Sequence, residues 1–324
     1  MKAIIHEKYG SPDVLELRDL EKPVPTDDEV LVRVYASSVN PAEWYGMSGL
    51  FIARVLGGLL KPKDMRLGAD FAGVVEAVGG SIKDFQPGDE VFGGRHGAFA
   101  EYICVSKAVA RKAANQTFAE AAGIPIAGLT ALQGLRDYGK LQPGQKVLIT
   151  GASGGVGTYA VQIAKALGAE VTAVCRTQNV DLVRSLGADY VVDYTREDFT
   201  RSDRRYDLVL EIASNRPWSE YKRILKRDAI MVLVGAPKGN MVIGPLARIL
   251  RLRLAALRAS QKLVFFMANF NRKDLETLRD LVESGKVRSV IDRQYKLSEI
   301  SEAMRYLGEG HARGKVVITM NGKK

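Results

Sequence analysis

The stretch Leu148 to Lys165, LITGASGGVGTYAVQIAK, places Gly151, Gly154, Gly155 and Gly157 between an apolar run and a segment whose apolar residues recur at helical spacing. A strand that breaks at a glycine turn and resumes as a helix offers unpaired backbone N–H groups and the positive end of a helix dipole, which together suit a phosphate group. Gly154 would let backbone approach a pyrophosphate, and Gly157 would let the helix pack closely on the strand, with Ser153, Gly155 and Val156 in the same turn. Ala152 stands where the usual G-x-G-x-x-G pattern has its first glycine. The structural alternative is a tight turn that binds nothing.

Strand, turn, helix and second strand follow in the order a dinucleotide site requires. The second strand ends in AVCRTQN, with Cys175 and Arg176 and no acid before Asp181. An NAD site places Asp or Glu there for the ribose hydroxyl; its absence, with Arg176, Thr177 and Asn179 at hand, favours NADPH. The alternative for Arg176 is a solvated loop arginine.

The elements that must hold this turn form two groups. Residues 1 to about 115 read as short β segments punctuated by glycine and proline, such as EVLVRVYASSV and FAGVVEAVG, which points to a β-barrel-like domain. From about 120 onward, strands such as KVLIT, EVTAVC and YDLVLEI alternate with amphipathic helices, the rhythm of a doubly wound parallel sheet. A length of 324 residues calls for two domains. The last strand, GKVVITM, is expected to return to the first domain, giving boundaries of 1–118 with 268–324 and 119–267.

Composition is that of a soluble globular chain, with 46% hydrophobic and 26% charged residues. The N-terminal apolar patch is too short for a secretory signal and no run suits a membrane span. Two cysteines, Cys104 and Cys175, form no metal cluster or disulfide framework, and a cytoplasmic setting is expected. The net charge of +10 permits an anionic partner, nucleic acid included, but no array of aromatic and basic residues supports one. The basic stretch ARILRLRLAALRASQK puts Leu246, Ile249, Leu250 and Leu257 on one helix face with Arg253 among them. It reads as a partly buried helix with solvated arginines, or as one lying on a membrane surface.

The run GQKVLITGASGGVGTYAVQIAK resembles the signature of the quinone oxidoreductases and zeta-crystallins, in the medium-chain dehydrogenase/reductase superfamily. GADFAGVVEAVGGSIKDFQPGDEVFG is similar to that superfamily's GroES-like domain, LTALQGL to its entry into the coenzyme domain, and GHARGKVVI to its closing strand. The likeness implies a GroES-like β-barrel domain joined to a Rossmann coenzyme domain, and a homodimer, for which KLVFFMA offers an edge strand. It is closest to the branch without zinc, which holds quinone oxidoreductases, alkenal or enone reductases and reticulon-interacting mitochondrial proteins. Zinc alcohol dehydrogenases carry a Cys near Asn40 and a His-Glu pair where this chain has Ala69-Asp70. No metal is therefore expected.

Without a Lewis acid, the negative charge that hydride transfer builds on an acceptor oxygen must be stabilised otherwise. Quinones and α,β-unsaturated carbonyls delocalise it themselves, which makes them the expected acceptors with NADPH as donor. By resemblance, Asn40 and Tyr45 match substrate-pocket positions. Tyr45 would relay a proton or pack as a pocket wall, and Asn40 would orient the acceptor or serve the turn before Pro41. The resemblance also implies Thr130 near the nicotinamide amide, Tyr194 near the adenosine phosphate, and Gly235 with Phe265 to Met267 on the nicotinamide side. Phe265 and Phe266 read equally as buried strand core, one of the two being expected to be only that, and Lys315 would reach the cofactor or merely flank a strand. The apolar stretch around Leu50 and Phe51 reads as a lid over the acceptor or a small core helix. Other functions left open are a nucleic-acid-binding protein, an NADPH-binding scaffold without turnover, and an alcohol or aldehyde oxidoreductase.

Overall fold

The computed structural model describes residues 1–49, 54, 57–234, 244–257 and 259–320. Leu50, Phe51 and Gly235, named above for the lid and the nicotinamide side, lie outside the described residues. The chain forms two compact units, Met1–Leu129 with Phe270–Lys324, and Thr130–Asn269. The first crossing thus falls inside a helix, eleven residues beyond 118.

In the first unit, β1 (Lys2–Ile5) and β2 (Glu16–Asp19) form a small antiparallel ribbon. Next come β3 (Val30–Val39), α1 (Pro41–Ser48), β4 (Asp70–Val78), β5 (Glu90–Gly94), β6 (Tyr102–Val105), β7 (Val109–Arg111), α2 (Phe118–Ala122) and α3 (Pro125–Gln133). β3 and β4 are long and apolar, and β3 pairs with both β4 and β6. Register shifts within β3–β4 let the sheet bend around a core that includes Val32, Val34, Phe71, Val91 and Phe99. Pro41 opens α1 at a position whose N–H has no intrahelical partner anyway, and Gly49 closes it in the left-handed region at φ 68°.

The second unit carries β8 (Lys146–Thr150), α4 (Gly155–Ala166), β9 (Glu170–Cys175), α5 (Val180–Ser185), β10 (Tyr190–Asp193) and β11 (Tyr206–Glu211). It continues through α6 (Trp218–Ile224), β12 (Leu225–Leu233), α7 (Gly244–Ala256) and β13 (Lys262–Phe265). Its strands are all parallel, in the order β10-β9-β8-β11-β12-β13. That is the doubly wound order, reversing between β8 and β11, the point where such sheets bind ligands. β8 and β11 are nearly continuous apolar runs because both faces of a parallel sheet are covered.

The chain then re-enters the first unit with α8 (Arg272–Glu283), β14 (Ile291–Lys296), α9 (Ile300–Glu309) and β15 (Lys315–Thr319). β15 pairs antiparallel with β3, Val316 opposite Val39 and Thr319 opposite Ala36. This is the return of the closing strand expected from sequence.

Candidate functional site

The turn after β8 has the shape its glycines predict. Gly151 lies in the left-handed region at φ 64°. A Cβ on Gly157 would sit 2.1 Å from the Gly151 carbonyl oxygen and 2.6 Å from Ala152 Cα, so only glycine lets α4 come this close to the strand end. Gly154 differs. A Cβ there would meet nothing nearer than the Gly151 oxygen at 3.4 Å, so the protein's own packing does not demand a glycine. Gly154 is the N-cap of α4 and supplies no side chain to cap it, which leaves the first-turn N–H groups facing a bare, partly exposed backbone at Gly154, Gly155 and Val156. A pyrophosphate fits such an end through both hydrogen bonds and helix dipole.

Beside the turn, Asn179 Nδ2 donates to Ser153 Oγ (2.8 Å), while Asn179 Oδ1 is buried without a partner. At the end of β9, Arg176 Nε donates to the Tyr194 hydroxyl (2.6 Å). No carboxylate among the described residues pairs with Arg176, so its charge is steered by a neutral phenol and not neutralised. Thr177 behaves otherwise than expected: its hydroxyl donates to Asp193 Oδ2 (2.5 Å) and lies 3.0 Å from the Thr195 hydroxyl. The Thr177 hydrogen bond, aided by those from Thr195, holds the Asp193 carboxyl below its usual range. Asp193 and Thr195 carry no motif, and the β9–β10 register, Asp193 opposite Cys175, is what brings them here. Burial pushes the Cys175 thiol up to about 11, and Cys104 is raised for the same reason.

On the coenzyme side, one member of the Phe265–Phe266 pair is core, as the sequence leads one to expect. Phe266 is only 7% exposed and stacks on Tyr138 with ring centroids 4.2 Å apart, whereas Phe265 and Met267 are the exposed members of that run. Thr130 opens the second unit within α3 and is half-buried.

In the first unit, strand register gathers a buried polar cluster. Ser38 pairs with Asp70 across β3–β4, and Val316 pairs with Val39 across β15–β3, which brings Lys315 beside Asn40. Asp70 Oδ2 accepts from Ser38 Oγ (2.6 Å) and Asn40 Nδ2 (2.9 Å), and its Oδ1 accepts from the Ile126 N–H (2.8 Å). Lys315 Nζ lies 3.5 Å from Asp70 Oδ2 and donates to Asn40 Oδ1. Glu43, in the first turn of α1, accepts the Asn40 N–H at Oε2 (2.6 Å). Its burial, with the Asp70 charge nearby, raises its carboxyl to about 8.

This cluster bears on Asn40 and Lys315, each of which has a structural alternative from sequence. Asn40 is 2% exposed with both ends of its amide engaged inside the protein, so it is not presented to an acceptor. Lys315 is 3% exposed and turned to Asn40 and Asp70. Asp70 and Glu43 carry no motif that marks them as participants; the one signal is Asp70 standing where zinc enzymes have a ligand pair. Tyr45, two residues after Glu43 on α1, is half-buried, and burial raises its phenol.

Family models for the alcohol dehydrogenase GroES-like domain and for zinc-binding dehydrogenases match residues 26–115 and 186–318. Among the described residues no group of three or more His, Cys, Asp or Glu is placed to hold a metal ion. The chain is 33% identical to the chloroplastic quinone-oxidoreductase QR1 of Triphysaria versicolor, covering 98% of both chains. It is 34% identical to the chloroplastic NADPH-dependent alkenal/one oxidoreductase of Arabidopsis thaliana, over 98% of this chain and 79% of that one. The solved quinone oxidoreductase of Coxiella burnetii superposes with a TM-score of 0.85 at 31% identity, covering 98% of this chain and 99% of the other. Two units of this architecture and full-length likeness at this level place the chain in the quinone and alkenal/one oxidoreductase family of the medium-chain dehydrogenases/reductases.

Proposed function

We propose that this protein is an NADPH-dependent, zinc-independent reductase of quinones or α,β-unsaturated carbonyls. The observation that carries the reading is the open turn at Gly154–Val156 with the uncompensated Arg176 guanidinium held by Tyr194. The names of full-length relatives, quinone oxidoreductase and NADPH-dependent alkenal/one oxidoreductase, support the same chemistry.

NADPH supplies a hydride when bound. The α4 N-terminus would hold its pyrophosphate, Ser153 and Asn179 would flank it, and Arg176 with Tyr194 would take the 2′-phosphate through charge-assisted hydrogen bonds. Thr130 and Gly235 stay in the proposal as nicotinamide neighbours, on the family resemblance. The Tyr45 phenol, kept protonated by burial, would donate to the oxygen on which charge develops. Asn40 acts as a positioning residue: tied to Asp70, Glu43 and Lys315, it fixes the start of the helix that carries Tyr45. Homodimerisation through the unpaired edge of β13 and a cytoplasmic setting belong to the same proposal.

The test is a titration with NADPH and NADH, then addition of a naphthoquinone to the NADPH complex. NADPH should bind tighter by about tenfold or more, Arg176→Gln should remove most of that preference, and the quinone should oxidise the bound cofactor. Equal binding of both cofactors, or a quinone that leaves NADPH intact, refutes the reading.

A further inference from the structure

Between Asp228 and Lys262 the chain contains no acidic residue and six basic ones, counting Lys262. Within this segment α7 is fixed by its inner face. Leu252 is buried, Ile249 and Ala256 pack on the same core, and Arg248 Nη1 donates to the buried Glu211 carboxylate (3.0 Å). Helical periodicity in the sequence puts Ile249 and Leu250 on one face; the structure separates them, because the Glu211–Arg248 pair and Leu252 rotate Leu250 outward.

The outer face is apolar where solvent would favour polar groups. Leu250 is 59% exposed, Leu254 58% and Leu257, one residue past the helix, 75%. At about 100° per residue these three fall within a narrow stripe, with Arg251 along one side and Arg253 along the other. Both arginines are exposed, and among the described residues neither has an ion-pair partner.

We propose that this face of α7 docks the protein on an anionic lipid bilayer, the leucines entering the headgroup boundary and Arg251 and Arg253 meeting the lipid charges. An exposed leucine stripe flanked by arginines is the pattern of a helix lying in the plane of a membrane interface. Charge complementarity selects an anionic surface. A second copy of the chain fits poorly, because arginines flank the stripe on both sides, so a symmetric contact between two such stripes would set arginine near arginine. Nucleic acid would use the arginines but would gain nothing from three leucines, where stacking calls for aromatic rings.

The full-length protein is mixed with vesicles of phosphatidylcholine alone, and of phosphatidylcholine with phosphatidylglycerol, and the bound fraction is read by flotation over a range of salt concentrations. Binding should appear on the mixed vesicles only and weaken with salt. Arg251→Gln with Arg253→Gln should lower the partition coefficient by about thirtyfold, and Leu250→Ser with Leu254→Ser by about tenfold or more. Both double variants should keep naphthoquinone reduction in vesicle-free solution, which shows that they fold. The wild-type salt series stands without any variant. Absence of binding, equal binding to neutral vesicles, or variants that bind like wild type overturns the proposal. So does loss of a dimer in either variant, or RNA binding that needs only the arginines while vesicles are ignored. Flotation needs neither cofactor nor quinone, so its result and that of the reductase assay fail separately.

Discussion

Lys315, at the start of the last strand, donates its ammonium hydrogen bond to the Asn40 amide oxygen at the head of the first helix, across 275 residues of sequence. The same ammonium is the ion-pair partner of Asp70, which is fully buried. The closing strand thereby fastens the start of α1, and with it Tyr45.

Breaking that fastening should be costly. Lys315→Met leaves the Asp70 charge buried without its cation and should lower unfolding stability by about 3 kcal/mol. Lys315→Met with Asp70→Asn should cost clearly less than the two single changes added together. Urea unfolding of the four proteins measures this; additivity within about 0.5 kcal/mol would mean the pair is not coupled.

Glu43 gives the cluster a pH signature. Its folded carboxyl titrates at about 8 against 4.5 for the free group, so between those values the unfolded chain has released a proton that the folded one keeps. This group's contribution to stability is therefore present below the lower value, is lost progressively as pH rises toward 8, and then levels off. Replacement by glutamine, Glu43→Gln, should flatten that decline. If wild type and variant show the same stability slope between about pH 5 and 8, Glu43 is not held neutral.

Gly154 and Gly157 should respond differently to alanine. Gly157→Ala drives a Cβ into backbone and should destabilise the second unit by several kcal/mol, on the order of an overpacked core. Gly154→Ala should stay within about 1 kcal/mol of wild type yet bind NADPH about tenfold or more weakly, since on the proposed function the methyl group would stand where the phosphate approaches. Thermal unfolding and cofactor titration separate the two; undiminished NADPH affinity in Gly154→Ala would count against the turn as the phosphate site.

Tyr45→Phe keeps the ring and removes the proton. With Tyr45 as donor to the acceptor oxygen, kcat should fall by about a hundredfold with little change in KM for NADPH. An unchanged kcat leaves Tyr45 as a pocket wall.

The strand–turn–helix was legible in the sequence because its physics is local: a strand, a glycine turn and a helix lie within one stretch, and Gly151 and Gly157 each have a steric reason. The closing strand could be assigned to the first domain from the need to pair its edges. The Asn40–Asp70–Lys315 cluster was not legible, since it arises from the registers of β3 with β4 and β15, and no spacing along the chain encodes a register. In KLVFFMA, strand alternation could not say which phenylalanine faces inward; that is decided by Tyr138, the ring on which Phe266 stacks. For α7, periodicity puts Ile249 and Leu250 on one face, and no spacing along the chain shows that Glu211 anchors Arg248 and so turns Leu250 outward.

The central claim is tested most directly by following NADPH consumption by the purified, chelator-treated protein against a naphthoquinone, an unsaturated ketone, an unsaturated aldehyde and a saturated aldehyde. Turnover of one or more conjugated acceptors, with the saturated aldehyde inert, is the predicted result. Reduction of the saturated aldehyde at a comparable rate, or tight NADPH binding with every conjugated acceptor untouched, would contradict it.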